Sequence, residues 1–217
     1  TRPVLITGLG PLSALGHGIE PTWQALCAGQ CGIGPITAFD PAGFACQLAA
    51  EVHDFKANQV VPKFHRKAVK VMARDIELAV GGAHFAAADA SLLTRGNIDP
   101  KDKQTQPTYD PSRVGAHIGA ALIAAEVNEL TYALARSTDD AGQFDYHKFG
   151  SEGLGHITPL WLLKYLPNML ACHVTIIHDA QGPSNTITCN NGDGVAPTTD
   201  SGFGTDSGAA PTTTFAH

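Results

Sequence analysis

The spacing of apolar residues changes several times along the chain, and each change predicts an element. Pro3-Val4-Leu5-Ile6-Thr7 is a short apolar, β-branched run that stops at Gly8-Leu9-Gly10-Pro11, and it predicts a buried first strand. Residues 21–28 predict a helix, with Pro21 early, Trp23 and Leu26 at apolar spacing and Gly29 as the stop. Residues 31–55 are loop-rich, with a short strand over 48–52. The clearest helical pattern covers 63–92, where Val69, Met72, Ile76, Val80 and Ala83 share a core face and Lys67, Lys70 and Arg74 lie opposite. Gly81-Gly82 either weakens that helix or marks a close contact. Residues 97–112 read as a surface loop, 113–119 as a second core strand and 124–136 as a helix. A polar loop, a helical piece over 159–165, a helix over 169–178 and a strand over 184–188 follow.

Strands alternating with helices imply an α/β layered fold. At 217 residues, one domain or a domain with an appendage is expected. The composition shifts near residue 190, so 1–190 read as the domain and 191–217 as a Gly/Thr/Ser-rich tail with no apolar periodicity, Phe203 and Phe215 standing alone.

A net charge of -6 argues against nucleic acid as a partner. No apolar stretch is long enough to span a membrane, and no leader is visible before the first apolar run. Cysteines scattered at 27, 31, 46, 172 and 189 suggest reduced thiols, which together with the missing leader gives a cytoplasmic expectation. The ten histidines form no metal-ligand spacing; His173 and His178 read as helix-surface or interface residues. Gly8-Leu9-Gly10 lacks the third glycine of a dinucleotide fingerprint, Ser13 standing in its place. No cofactor is expected.

Four segments, in order, resemble the N-terminal half of elongating β-ketoacyl-acyl-carrier-protein synthases. They are Val4-Leu5-Ile6-Thr7-Gly8-Leu9-Gly10 with Ser13-Ala14-Leu15-Gly16; Trp23 to Gly29 with Gly32-Ile33-Gly34-Pro35-Ile36; Arg113-Val114-Gly115-Ala116-His117-Ile118-Gly119; and Leu166-Pro167-Asn168-Met169 with Gly182-Pro183-Ser184-Asn185-Thr186-Ile187. The resemblance implies a thiolase-like fold, of which only the N-terminal half is present, a βαβαβ sheet with covering helices. It also implies decarboxylative Claisen condensation of an acyl thioester with malonyl carrier protein, in fatty-acid or polyketide synthesis.

That chemistry needs a thiolate to carry the acyl chain. A helix N-terminus lowers the thiol pKa, and two backbone N–H groups form an oxyanion hole. In the family the cysteine follows the "GPSNTI" strand and two histidines come from the second half. Cys189 is seven residues after Gly182, whereas Asn191 stands where the family places its cysteine. Asn190-Asn191-Gly192-Asp193-Gly194 is a poor helix start. Either Cys189 is a displaced nucleophile or the site has lost it, which leaves a catalytically inactive ketosynthase-like subunit or a carrier-protein-binding and dimerisation module as the alternative. Nothing after Cys189 matches the family's histidine motifs.

Leu122 follows Ile118-Gly119-Ala120-Ala121, where the family's apolar residue borders the acyl tunnel; it is otherwise an ordinary core leucine. Lys63, Arg66, Lys67, Lys70 and Arg74 form a basic stripe at the place where the family docks its acidic acyl carrier protein. The plainer alternative is a solvated helix face. A half of a thiolase-type fold should expose an apolar face, so a homodimer or higher oligomer is expected.

Overall fold

The computed structural model describes residues 3–121, 125–188 and 212–216. Two short antiparallel ribbons open the chain: β1 (Leu12–Ser13) with β2 (Gly16–His17), and, after α1 (Ile19–Cys27), β3 (Ile33–Pro35) with β4 (Leu48–Ala50). A 3₁₀ helix (Lys63–Val71), α2 (Arg74–Asp89) and β5 (Gly115–Ala120) follow. Next come α3 (Val127–Ala135), α4 (Tyr146–Ser151), a 3₁₀ turn (Trp161–Lys164), α5 (Met169–His178), β6 (Asn185–Thr188) and β7 (Thr212–Ala216).

The described sheet has the order β6-β5-β7, with β6 parallel and β7 antiparallel to β5. α2 and α5 pack together, and α5 packs on β5. One apolar cluster joins Ile76, Ala79, Val80 and Ala83 of α2 to Leu170, Val174 and Ile177 of α5 and to Ala116, Ile118 and Ala120 of β5. Ile76, Val80 and Ala83 are positions that the 3.6-residue period put on the core face of the helix expected over 63–92, and Met72 is buried with them.

The continuous helix expected over 63–92 is two elements. Met72 and Ala73 are extended and buried, and they divide the 3₁₀ segment from α2. The local chemistry accounts for the break. Asp75 and Glu77 suit the positive end of a helix that begins at Arg74. Gly81-Gly82 marks the close contact. A Cβ on Gly81 would strike Phe55 and Leu12, and one on Gly10 would strike the Gly82 carbonyl and the Ala86 amide.

Further departures concern burial. Residues 3–7 form no strand; Val4, Leu5 and Ile6 are 97%, 73% and 84% exposed. Trp23 and Leu26 are exposed, and Ala25 is the residue that α1 buries. The loop expected before residue 159 contains α4, whose N-terminus is capped by Asp145 through the N–H groups of His147 and Lys148. Within the tail, residues 212–216 are a strand; the other tail residues lie outside the described ones.

His173 and His178 are core residues of α5, not surface residues, because they share the wide buried side of the helix with Leu170, Val174 and Ile177, while Ile176 is exposed. The Thr94 hydroxyl lies 2.7 Å from Nδ1 of His178 and accepts the N–H of Gly96. Burial, with a smaller contribution from His84, pushes the His178 pKa down from 6.5 to about 4. Burial, together with the charge of His65, also lowers that of His173, and burial lowers that of His84.

The folded-state value of His178 is below the unfolded one, so the unfolded chain takes up the extra proton. Stability is therefore full above pH 6.5 and falls as the pH drops toward about 4. This group alone accounts for a loss of roughly 3 kcal/mol by about pH 4. Urea titrations at neutral pH and near pH 4 should show that loss, and His178→Gln should reduce it. An equal loss in the variant would contradict the assignment.

Candidate functional site

The site begins where β5 and β6 run side by side. Two glycines let the backbones meet: a Cβ on Gly115 would strike the Pro183 carbonyl, and one on Gly182 would lie 2.8 Å from the Val114 carbonyl. The N–H of Gly182 donates to the Val114 carbonyl at 2.8 Å, and the Ser184 hydroxyl accepts the N–H of Ala116 at 3.0 Å. The parallel register then runs from His117 opposite Asn185 to Ala120 opposite Thr188. His117 Nδ1 and Asn185 Oδ1 are 2.7 Å apart at its start. Leu122, Cys189 and Asn191 lie outside the described residues. The segments that lead to Leu122 and Cys189 are nonetheless fixed, since Ala120 and Thr188 are register partners at the carboxyl ends of adjacent parallel strands, where α/β sheets bind ligands.

The basic residues stand on a different element from the one the sequence suggests. In a 3₁₀ helix, residues three apart are eclipsed. Phe64, Lys67 and Lys70 form one exposed row, and Lys63 and Arg66 are exposed on the next. The third row, His65, Ala68 and Val71, is half-buried. None of Lys63, Arg66, Lys67 and Lys70 forms an ion pair among the described residues.

Arg74 does not belong with them. Its guanidinium donates to the carbonyls of Val52 (2.7 Å) and Phe55 (2.8 Å) and to the Glu77 carboxylate (2.8 Å), tying the β4 side of the fold to the start of α2. Arg95, which sequence spacing could not join to the stripe, lies with its guanidinium carbon 6.0 Å from the Phe64 ring centre. It also approaches Asp179, at 3.9 Å. Burial, helped by Arg95, lowers the pKa of His65, so that ring adds no charge near neutrality. The described patch is thus four cations with no ion pair among the described residues, on a segment that also exposes Phe64, with Arg95 beside that ring.

A second polar cluster was not expected. Glu129 of α3 accepts from Lys164 and from the Tyr165 hydroxyl, the latter at 2.7 Å, and the Tyr165 oxygen accepts the N–H of Glu126. Burial alone would raise the Glu129 pKa, but the hydrogen bonds from Lys164 and Tyr165 prevail and hold it below the usual range. The cluster clamps the Trp161–Lys164 turn to α3, the helix that follows β5. Among the described residues no group of three or more His, Cys, Asp or Glu side chains could hold a metal ion, and no helix is long and apolar enough to cross a membrane. Cys27, Cys31, Cys46 and Cys172 are free thiols.

Residues 1–191 match the family model "Beta-ketoacyl synthase, N-terminal domain". The 3-oxoacyl-acyl-carrier-protein synthase 2 of Coxiella burnetii is 32% identical over 194 residues, covering 88% of this chain and 40% of the relative. That of Synechocystis sp. is 41% identical over 188 residues, covering 86% and 38%. The chain therefore spans about two fifths of the length of these relatives. Among solved structures, the ishigamide ketosynthase/chain length factor superposes with a TM-score of 0.57 at 22% identity, over 84% of this chain and 39% of that one. A ketosynthase solved in complex with a type II PKS acyl-carrier protein gives 0.50 at 12% identity, over 83% and 40%. At such identities the likeness establishes the fold: the chain has the α/β, thiolase-like architecture of a ketosynthase's N-terminal half.

The two kinds of cation are separable by stability. Arg74→Gln should lower the unfolding free energy by about 2 kcal/mol in a denaturant titration, since it removes charge-assisted bonds to two carbonyls. Lys67→Gln should change it by less than about 0.5 kcal/mol. Equal losses would contradict the distinction.

Proposed function

The chain belongs to the β-ketoacyl synthase family, as its N-terminal domain, and from that premise we propose that it serves acyl-chain elongation by docking an acidic acyl carrier protein. The observation that carries this reading is the exposed 3₁₀ strip, whose Lys63, Arg66, Lys67 and Lys70 form no ion pair among the described residues, with Phe64 on the same segment and Arg95 beside that ring. Cations without internal ion pairs break no such pair when they turn toward a carrier-protein carboxylate, and they raise the encounter rate of a transient complex. The exposed Phe64 ring supplies apolar contact on the same segment. A related ketosynthase has been solved in complex with its acyl-carrier protein, which supports the same class of partner here.

The parent reaction is decarboxylative Claisen condensation, in fatty-acid or polyketide synthesis. In this reading Cys189 carries the acyl chain just beyond β6, and Leu122, just beyond β5, borders its acyl group. The two described strand ends that lead to them are paired, which suits a shared acyl site. The condensation also requires the histidines that the family supplies from its second half. A second reading has its own support: Asn191, not a cysteine, stands at the family-spaced position. In that reading the chain is an inactive ketosynthase-like subunit that keeps the docking strip. Both readings include a homo-oligomer, favoured by the edge of β6 that no described strand pairs and by its exposed Ile187.

Carrier-protein binding tests the shared part. Lys67→Glu with Lys70→Glu should weaken it by roughly tenfold or more, and added salt should weaken the unsubstituted protein. Lys101→Glu with Lys103→Glu, on an exposed loop elsewhere, should change it by no more than about twofold. Equal losses in the two double variants would sink the docking proposal. Intact mass after incubation with an acyl thioester separates the two readings: an adduct on Cys189 supports the nucleophile, and labelling no faster than at Cys27 supports the inactive subunit.

A further inference from the structure

Arg95 stands beside the basic strip although it belongs to another segment, and buried neighbours fix its place there. Over residues 92–97 burial alternates: Leu92, Thr94 and Gly96 are buried, whereas Leu93, Arg95 and Asn97 are exposed. Asn97 closes the segment on itself, since its Oδ1 accepts the Thr94 N–H at 2.8 Å and its Nδ2 donates to the Leu92 carbonyl at 2.8 Å. The N–H of Leu93 donates to the Thr108 hydroxyl at 2.8 Å, and the Leu93 carbonyl accepts the Thr108 N–H at 2.9 Å.

Both buried neighbours of Arg95 rest on His178, at the C-terminal end of α5. Thr94 and His178 are each 4% exposed, and the Thr94 hydroxyl lies 2.7 Å from Nδ1. The hydroxyl oxygen accepts the N–H of Gly96, and burial keeps the ring neutral near pH 7, so the hydroxyl hydrogen is available to Nδ1. Gly96 fits because it has no side chain: a Cβ there would lie 2.8 Å from Nδ1 and 3.2 Å from the Ile177 side chain. The next residue of the chain, Asp179, meets Arg95 itself at 3.9 Å. The end of α5 therefore holds the segment on both sides of Arg95, and the guanidinium carbon comes to lie 6.0 Å from the Phe64 ring centre.

We propose that Thr94, Gly96 and His178 form a buried latch that positions Arg95 as the fifth cation of the docking strip. A long exposed cation otherwise loses rotamer freedom when a partner engages it, and a segment fixed beforehand lowers that ordering cost. Thr94 and His178 are positioning residues in this arrangement, since neither reaches the surface where a partner would bind. The consequence for binding rests on the carrier-protein reading, whereas the placement of Arg95 can be measured in the chain alone.

A double-mutant cycle on the full chain tests the latch. Arg95→Gln should weaken acyl-carrier-protein binding by roughly threefold to fivefold, the worth of one exposed charge contact. Thr94→Val removes the hydroxyl at nearly constant shape and should weaken binding by the same factor. The two together should weaken it no more than either alone, because the second change removes a contact already lost. Thr94→Ser keeps the hydroxyl and should restore binding. In the free chain, the Nε–H resonance of Arg95 should move in Thr94→Val and stay in place in Thr94→Ser, with that of Arg113 unmoved in both. Multiplied losses in the double variant, or unchanged binding in Thr94→Val, overturn the proposal. If the unsubstituted chain binds no carrier protein, the docking reading fails and the Arg95 resonance alone decides: unmoved in Thr94→Val, it overturns the latch. Should Thr94→Val fail to fold, Gly96→Ala, whose Cβ displaces the segment from the imidazole, must reproduce the loss of binding and the moved resonance, and its failure to do either overturns the proposal.

Discussion

Burial of one short strand, β5, against α5, which packs in turn on α2, organises the described core. β5 contributes Ala116, Ile118 and Ala120 to a core that α2 and α5 share with Ala57, Val61, Met72 and Ala73. The small residues of this strand allow α5 close approach, and glycine at 115 lets the incoming β6 strand meet it backbone to backbone. Once β5 is fixed, the parallel register with β6 follows, and with it the pairing of Ala120 and Thr188 at the edge where the family's chemistry takes place. The same packing holds α2, and the start of α2 holds the basic strip through the Arg74 clamp on Val52 and Phe55.

The division of labour among the cations follows from their partners. Arg74 binds three internal acceptors and fastens the break between the 3₁₀ segment and α2. The cations before it have no such partners and remain on the surface. The 3₁₀ winding sorts the segment into two exposed rows and one half-buried row.

Much of this architecture was legible in the sequence wherever a strong period coincided with a clear stop. α5 matches its expected bounds, residues 169–178, and β5, β6 and α2's core face lie where their patterns put them. Failures came where neighbours decide the outcome. Val4 to Ile6 read as a buried strand because the residue types fit one, and residue types alone do not tell which segment pairs with β5. The break at Met72 was hidden because Met72 keeps the core-facing phase, although the first-turn acids Asp75 and Glu77 signalled a helix start. His173 and His178 read as helix-surface or interface residues, yet they lie on the wide side of α5 that the core covers. Arg95 was invisible as a patch member because it is 31 residues from Phe64. Of the candidate site, the basic strip and the "GPSNTI" lead-in were legible, whereas Leu122, Cys189 and Asn191 lie outside the described residues.

The central claim is that this N-terminal ketosynthase domain presents one docking strip for an acidic carrier protein. The most direct measurement is an amide chemical-shift titration of the full chain with an acyl carrier protein. Perturbations concentrated over residues 63–70 and at Arg95, with Arg74 and the Lys101–Lys103 loop unmoved, are the predicted result. Saturable shifts confined to another face, or none at carrier concentrations that bind intact ketosynthases, would contradict it.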